Sequence, residues 1–171
     1  MKKRILFTCL AVILLFSGCT GSRSSGQELT FMVPRNWAEL DSTPALEETI
    51  RELERMVRAN PHMGEVNEFS IDFAGSRRAD LTITWLAINR TGRSIENISF
   101  AIMFTRGELY SIPIELTEAF IGIIPDQTAT VFTLSFPNED AFDYLLALLG
   151  DTEGGTANMY LDNLSIAFAD E

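Results

Sequence analysis

The stretch Ile98–Thr105, ISFAIMFT, decides the fold class because a large apolar residue stands at every second position. Ile98, Phe100, Ile102 and Phe104 alternate with the smaller or more polar Ser99, Ala101, Met103 and Thr105. Successive side chains of a strand point to opposite faces of a sheet. The alternation therefore predicts a half-buried β-strand.

The same period of two continues on both sides of this stretch. Similar runs lie at residues 65–73 (EVNEFSIDF), 81–88 (LTITWLAI), 132–136 (FTLSF) and 164–168 (LSIAF). Turn-forming residues separate them, at Asn89–Gly92, Arg106–Glu108 and Pro125–Gln127. Several short strands with such turns are typical of antiparallel β structure. We therefore expect a mainly β antiparallel sandwich or barrel over residues 65–169, within a single domain over residues 29–171.

Two helices interrupt the strand pattern. The first is expected over residues 44–59, where Thr43 is a suitable N-cap and Pro44 fits the first helical position. Its apolar residues recur at helical spacing on one face, which predicts an amphipathic helix covering a core. Asn60-Pro61 ends this helix. A shorter helix is expected from Asn138 to Leu149, before the last strand.

The first 19 residues have the composition of an export signal. The segment Met1–Arg4 is basic, and Ile5–Phe16 is an almost unbroken apolar run of 12 residues. That run is shorter than the roughly 20 residues that a membrane-spanning helix needs. The following Ser17-Gly18-Cys19 resembles the lipobox of bacterial lipoproteins. The resemblance implies a signal peptide over residues 1–18 and a lipid on Cys19; a plain secretory signal with a chance cysteine is the alternative.

Cleavage after Gly18 changes what the rest of the chain can do. It removes 18 of the 171 residues and leaves 153, with 10 basic and 24 acidic residues and a net charge of −14. Such a charge disfavours nucleic acid as a partner. No thiol pair remains for a disulfide, since Cys9 is removed and Cys19 is acylated. Residues 19–28 are polar and rich in Ser and Gly after the cysteine, and we expect a flexible tether.

Catalytic and cofactor patterns do not stand out in the sequence. His62 is the single histidine, next to Pro61, so a histidine-based triad would depend on that residue alone. Zinc needs three or four nitrogen or sulfur ligands, more than one His and no free Cys supply. Asp151–Gly155 with Asp162-Asn163 offers oxygen ligands but not the spacing of a calcium-binding EF-hand loop. We expect no enzyme, no metal and no cofactor.

The order of motifs resembles the SLAP domain of Gram-positive surface proteins. Gly64–Asn67 is similar to the G-Q-I-N of that family, Ala87–Gly92 to its F-I-R-N-G, and Ile121–Ala129 to its L-G-E-I-P-P-N-S-A. The resemblance covers roughly Trp37 to Phe142. It implies an immunoglobulin-like sandwich on a cell-surface protein, linked in some members to surface-layer assembly or export.

Candidate binding residues are one early tryptophan and a group of arginines. Trp37 lies between Pro34 and the first helix, and Arg90 and Arg93 fall in a turn, with Arg77-Arg78 nearby in sequence. Basic residues on an acidic domain suit an acidic envelope polymer or protein. We therefore expect an extracytoplasmic lipoprotein, anchored to the membrane by its lipid, that binds an envelope protein or polymer. A small-ligand carrier, or an accessory to a cell-wall enzyme, is the alternative.

Overall fold

The computed structural model describes residues 28–64, 68–106, 108–150 and 158–169. The predicted signal peptide, Cys19 and the tether up to residue 27 lie outside these ranges, as do residues 65–67 of the first predicted long strand. The Asp151–Gly155 turn also lies outside them.

Seven strands form the largest share of the described chain. They are β1 (Thr30–Met32), β2 (Phe69–Arg77), β3 (Thr82–Asn89), β4 (Ile95–Arg106), β5 (Glu108–Leu116), β6 (Thr128–Ser135) and β7 (Asn158–Phe168). Between them lie four helices: α1 (Arg35–Ala38), α2 (Pro44–Ala59), α3 (Glu118–Ile121) and α4 (Glu139–Gly150). One turn of 3-10 helix, Arg78–Asp80, connects β2 to β3.

The strands form two sheets. The four-stranded sheet has the order β1-β6-β3-β2, and the three-stranded sheet has the order β5-β4-β7. The long pairings are all antiparallel. The short connections from β2 to β3 and from β4 to β5 require this arrangement for those two pairs. The pairing of β1 with β6 is parallel, which corrects the expectation of a purely antiparallel arrangement. Parallel pairing is accessible here because α1, α2 and the strands from β2 to β5 separate β1 from β6 in sequence.

The register of the strands defines two ends of the domain. At the entry end, Thr30 and Asn89 both lie opposite Thr128, and Ile95 lies opposite Phe168. At the far end, Thr82 lies opposite Ser135 and Arg106 opposite Glu108. A strand of eight residues such as β3 is about 26 Å long. The two ends are therefore separated by about this distance.

The inner apolar cluster contains residues of both sheets. Phe69 of β2 is 5.8 Å from Phe100 of β4, and Phe100 is 6.2 Å from Phe132 of β6, measured between ring centroids. Phe142 of α4 belongs to the same cluster and is fully buried. Aromatic pairs at these distances and tilted angles add favourable edge-to-face contacts to the burial of their area.

The outer apolar cluster lies between the four-stranded sheet and α2. Leu53 and Val57 of the helix pack with Leu86 and Ile88 of β3, whose neighbours Trp85 and Ala87 face the inner cluster. The residues that β3 contributes to the two clusters are fully buried, because β3 is covered on both faces. This explains the nearly continuous apolar run LTITWLAI.

The helical predictions agree closely with the structure. The helix expected over residues 44–59 is α2, and the Thr43 Oγ1 accepts a hydrogen bond from the Leu46 N–H, as an N-cap does. A helix before the last strand is confirmed as α4, and the mainly β class is confirmed as well. The immunoglobulin-like sandwich stays a prediction. The short elements β1, α1 and α3 were not predicted.

Candidate functional site

The predicted turn at Asn89–Gly92 and the turn at Pro125–Gln127 form one polar corner at the entry end. Asn89 is fully buried at its centre. Its Nδ2 donates to the backbone carbonyls of Arg93 (2.8 Å), Ile124 (2.9 Å) and Pro125 (3.0 Å). Its Oδ1 accepts from the backbone N–H of Thr91 at 3.0 Å and from the Thr91 hydroxyl at 2.7 Å. Asn89 thus fixes both turns against each other.

Arg90, a predicted binding residue, extends this polar corner to the end of α2. Its Nε donates to the carbonyl of Met63 at 2.9 Å, and its Nη2 donates to the carbonyl of Pro61 at 2.6 Å. The Nη1 donates to Gln127 Oε1, also at 2.6 Å. A guanidinium supplies five N–H donors in a fixed plane, which suits such simultaneous contacts. Arg90 therefore ties the helix to the polar corner, a structural role that uses much of its donor capacity.

Arg93, the second predicted binding arginine, lies on the same turn and is exposed. Its guanidinium carbon is 4.0 Å from the ring centroid of Phe168, a close cation–π contact. The neighbouring Gly92 N–H donates to Asp126 Oδ1 at 2.9 Å. Arg93 is thus held beside the last residue of β7 at the surface of the entry end.

The arginines that are near each other in sequence lie at opposite ends of the domain. Arg77 and Arg78 precede β3 at the far end, whereas Arg90 and Arg93 follow it at the entry end. Arg77 Nε is 2.8 Å from Asp80 Oδ2. Arg78 pairs with Asp143 of α4 and lies 5.7 Å from the centroid of Phe142. The structure does not gather these four residues into one basic surface.

The two tryptophans are both packed. Trp37, the predicted aromatic binding residue, belongs to α1 and lies half-buried against the outer cluster. Trp85 is fully buried in the inner cluster and makes an edge-to-face contact with Phe73, with ring centroids 5.9 Å apart. The Trp85 Nε1 is buried and has no hydrogen-bond partner among the residues that the structure describes.

Asp72 on β2 has a carboxyl group whose pKa is shifted. Burial raises the pKa of Asp72 above its ordinary value of 3.8, because removal from water disfavours the charged form. Asp72 lies opposite Leu86 in the ladder, two residues after Ser70, whose Oγ is buried and without a described hydrogen-bond partner. His62 is exposed in the turn after α2.

The described ranges also bear on metal binding and on membrane crossing. No group of three or more His, Cys, Asp or Glu side chains there is arranged to hold a metal ion. None of the described helices combines the length and the apolar character that crossing a bilayer requires.

Exposed apolar side chains mark both ends of the domain. Tyr144 of α4 and Tyr160 of β7 are 43% and 44% exposed at the far end. Phe120 of α3 and Ile123 are 42% and 41% exposed at the entry end. The sequence gives no local signal for Phe120 and Ile123 as surface residues, because the run FIGII at residues 120–124 has neither the period of a strand nor that of a helix.

No family model, curated protein or solved structure matches the chain.

Proposed function

We propose that the protein is a non-catalytic lipoprotein, held outside the cytoplasm by a lipid on Cys19, whose domain binds a protein or polymer of the cell envelope. One observation carries the proposal. A basic start and an apolar run end at Ser17-Gly18-Cys19, and a polar Ser/Gly-rich segment then leads to the folded domain. Two or more acyl chains hold a protein stably at a membrane, whereas one chain alone does so only marginally.

The position of the chain's entry orients the domain on such an anchor. Thr30 donates its backbone N–H to the carbonyl of Gln127 at 3.0 Å, so the first described residues lie at the entry end. A lipid on Cys19 would hold this end near the membrane. The far end would then be presented outward, about 26 Å further from the bilayer when the strands stand upright.

The far end carries features that suit a partner. Tyr144 and Tyr160 expose aromatic surface there, and tyrosine combines apolar area with a polar hydroxyl at low entropic cost. Tyr160 is part of β7, an edge strand of the three-stranded sheet. An edge strand can pair with an extended segment of another chain. The resemblance to SLAP domains supports a partner within a surface-layer or export assembly.

The anchoring part is tested by labelling cells with radioactive palmitate. The natural chain is expected to incorporate the label and to sediment with membranes, and Cys19→Ala is expected to do neither. Cys9→Ala is the matched control, since Cys9 lies within the predicted signal peptide and its loss should leave labelling unchanged. Absence of label from the natural chain would refute the lipid anchor.

The binding part is tested by crosslinking on intact cells. A specific crosslinked species is expected with the natural chain, and its yield should fall in the variant with both Tyr144→Ala and Tyr160→Ala. Leu40→Ala removes an apolar side chain that is 57% exposed in the segment between α1 and α2, and it serves as the control. An equal yield in all three proteins would refute a binding surface at the far end.

A further inference from the structure

We propose that the entry end is a membrane-contacting surface, in which Phe120 and Ile123 insert into the interface of the bilayer that holds Cys19. This inference rests on the proposed lipid anchor. It adds a second contact to that anchor, made by the folded domain itself and at a defined place.

Phe120 and Ile123 are fixed in their exposed positions by buried neighbours. Ile121 is 1% exposed and Ile124 is fully buried, so each exposed apolar residue is adjacent to an anchoring one. The Ile124 N–H donates to the carbonyl of Ile95 at 2.8 Å, and the Ile95 N–H donates to the carbonyl of Ile124 at 2.9 Å. The exposure of Phe120 and Ile123 is therefore built into the packing.

The surroundings attach this segment firmly to the rest of the domain. The Glu118 N–H donates to Asn97 Oδ1 at 3.1 Å, and the Glu118 carboxylate pairs with Arg35 at 3.1 Å. Both Asn97 and Glu118 lie beside the entry end, where β4 begins and β5 has just ended. Phe120 and Ile123 are thus presented from a part of the fold that is cross-linked by backbone and side-chain contacts.

The length of chain before the domain brings this surface close to the lipid. Nine residue steps separate Cys19 from Glu28, the first described residue. Even a fully extended chain of that length spans only about 30 Å, and a flexible one has a root-mean-square reach of about 17 Å. The domain is joined to this segment at the entry end, so exposed apolar groups there are at a high effective concentration near the bilayer.

The charge of the entry end favours a zwitterionic lipid surface over an anionic one. Arg35 is paired with Glu118, and the carboxylate of Asp126 accepts from the Gly92 N–H. Glu28, Glu68 and Glu96 add negative charge at the same end, and these carboxylates outnumber the two further guanidinium groups there, those of Arg90 and Arg93. An apolar side chain can enter the interfacial region of any bilayer, whereas anionic head groups would repel these carboxylates.

The test uses site-directed spin labels on the mature lipoprotein in vesicles of phosphatidylethanolamine and phosphatidylcholine. Acylation of Cys19 and removal of Cys9 leave no other thiol, so Phe120→Cys, Ile123→Cys and Tyr160→Cys each provide one labelling site. Tyr160 has nearly the same exposure as Phe120 but lies at the far end, which makes it the matched control. Circular dichroism before reconstitution verifies that each labelled variant is folded.

For each spin label, the collision rate with oxygen is compared with the collision rate with a polar nickel chelate. Oxygen concentrates in lipid, whereas the chelate stays in water. The expected result is an oxygen-to-nickel ratio several-fold higher at residues 120 and 123 than at residue 160. Equal ratios at all three positions, in protein that carries palmitate, would overturn the membrane contact and leave the anchor intact. Shielding of residues 120 and 123 from both reagents would overturn it in favour of a protein contact, such as a second copy of this chain. Absence of palmitate would refute the anchor, and the membrane contact with it.

Discussion

At the scale of single residues, Asn89 has the greatest influence on the polar corner. It is fully buried and makes five hydrogen bonds with backbone or side-chain groups of two turns. Truncation would leave the Pro125 carbonyl and the Thr91 N–H without these partners, each at a cost of about 1–3 kcal/mol. The carbonyls of Ile124 and Arg93 would each keep a second donor. We expect Asn89→Ala to lower the free energy of unfolding by about 3 kcal/mol, measured by urea denaturation.

A charged substitution at Asn89 gives a second test of the same site. Asn89→Asp keeps the acceptor for Thr91 but places a carboxylate against three carbonyl oxygens. It should destabilise at least as much as alanine at neutral pH and recover part of the loss in acid. Ser99→Ala, at an exposed position on β4, is the control and should change stability by less than about 0.5 kcal/mol. A loss at Asn89→Ala as small as at Ser99→Ala would contradict the structural role.

Asp72 gives a pH dependence whose direction follows from its environment. Burial raises the pKa of this carboxyl group above 3.8, so the folded chain keeps the proton at pH values where the unfolded chain has released it. The stability that the folded state gains by keeping this proton on Asp72 is therefore fully present below pH 3.8. It is lost as the pH rises through the raised pKa of Asp72. Asp72→Asn should remove this loss and increase the free energy of unfolding at pH 7. Asp162→Asn, at an exposed position on β7, controls for the lost charge. An Asp72→Asn variant that is no more stable at pH 7 than the natural chain would contradict the assignment.

At the scale of elements, the sequence predicted those structures whose signals are local. The cap at Thr43, Pro44 and the periodic apolar face specify α2 within its own residues, and its bounds were predicted correctly. β1 has three residues, and it exists because β6, almost a hundred residues later, offers a parallel partner. No local pattern carries that information. The contacts of Arg90 with Met63 and Pro61 were equally inaccessible, since they depend on where α2 ends in space.

The strand β5 illustrates how an exposed sheet edge is protected. It lies at the edge of the three-stranded sheet, and Pro113 stands in its middle, opposite Ala101. A proline has no backbone N–H to donate and is accommodated on an edge strand, where it blocks pairing with another strand. We expect Pro113→Val to produce dimers or larger species that increase with protein concentration, measured by size-exclusion chromatography with light scattering.

The control for this prediction separates the loss of proline from the gain of an apolar residue. Ser111→Val adds the same side chain two residues earlier and leaves Pro113 in place. It should elute like the natural protein. If both variants self-associate equally, the added apolar side chain and not the loss of proline causes the association. If neither variant self-associates, Pro113 does not protect the edge of the sheet.

At the scale of the whole molecule, β3 determines how the arginines are distributed. Four arginines within 17 residues looked like one basic group in the sequence, but an eight-residue strand runs between the two pairs. Because an extended strand advances about 3.3 Å per residue, residues before and after it lie at opposite ends. The strand pattern already contained this separation. The ion pairs that engage Arg77 and Arg78, in contrast, depend on α4 and on the 3-10 turn being in place.

The same strand should make the domain unfold as one unit. Leu86 and Ile88 of β3 pack in the outer cluster, whereas Trp85 and Ala87, adjacent in sequence, pack in the inner one. A loss of packing on one face is then transmitted to the other, because the strand cannot leave one cluster and remain in the other.

Val57→Ala, in α2, is expected to lower the free energy of unfolding by about 2 kcal/mol and the melting temperature by about 4–8 °C. In a Trp37→Phe background the fluorescence comes from Trp85 alone, so it reports on the inner cluster, while far-ultraviolet circular dichroism reports on the helices and strands together. Both signals should shift by the same amount in Val57→Ala; a lower transition in circular dichroism with an unchanged Trp85 transition would mean that α2 unfolds separately from the sheets.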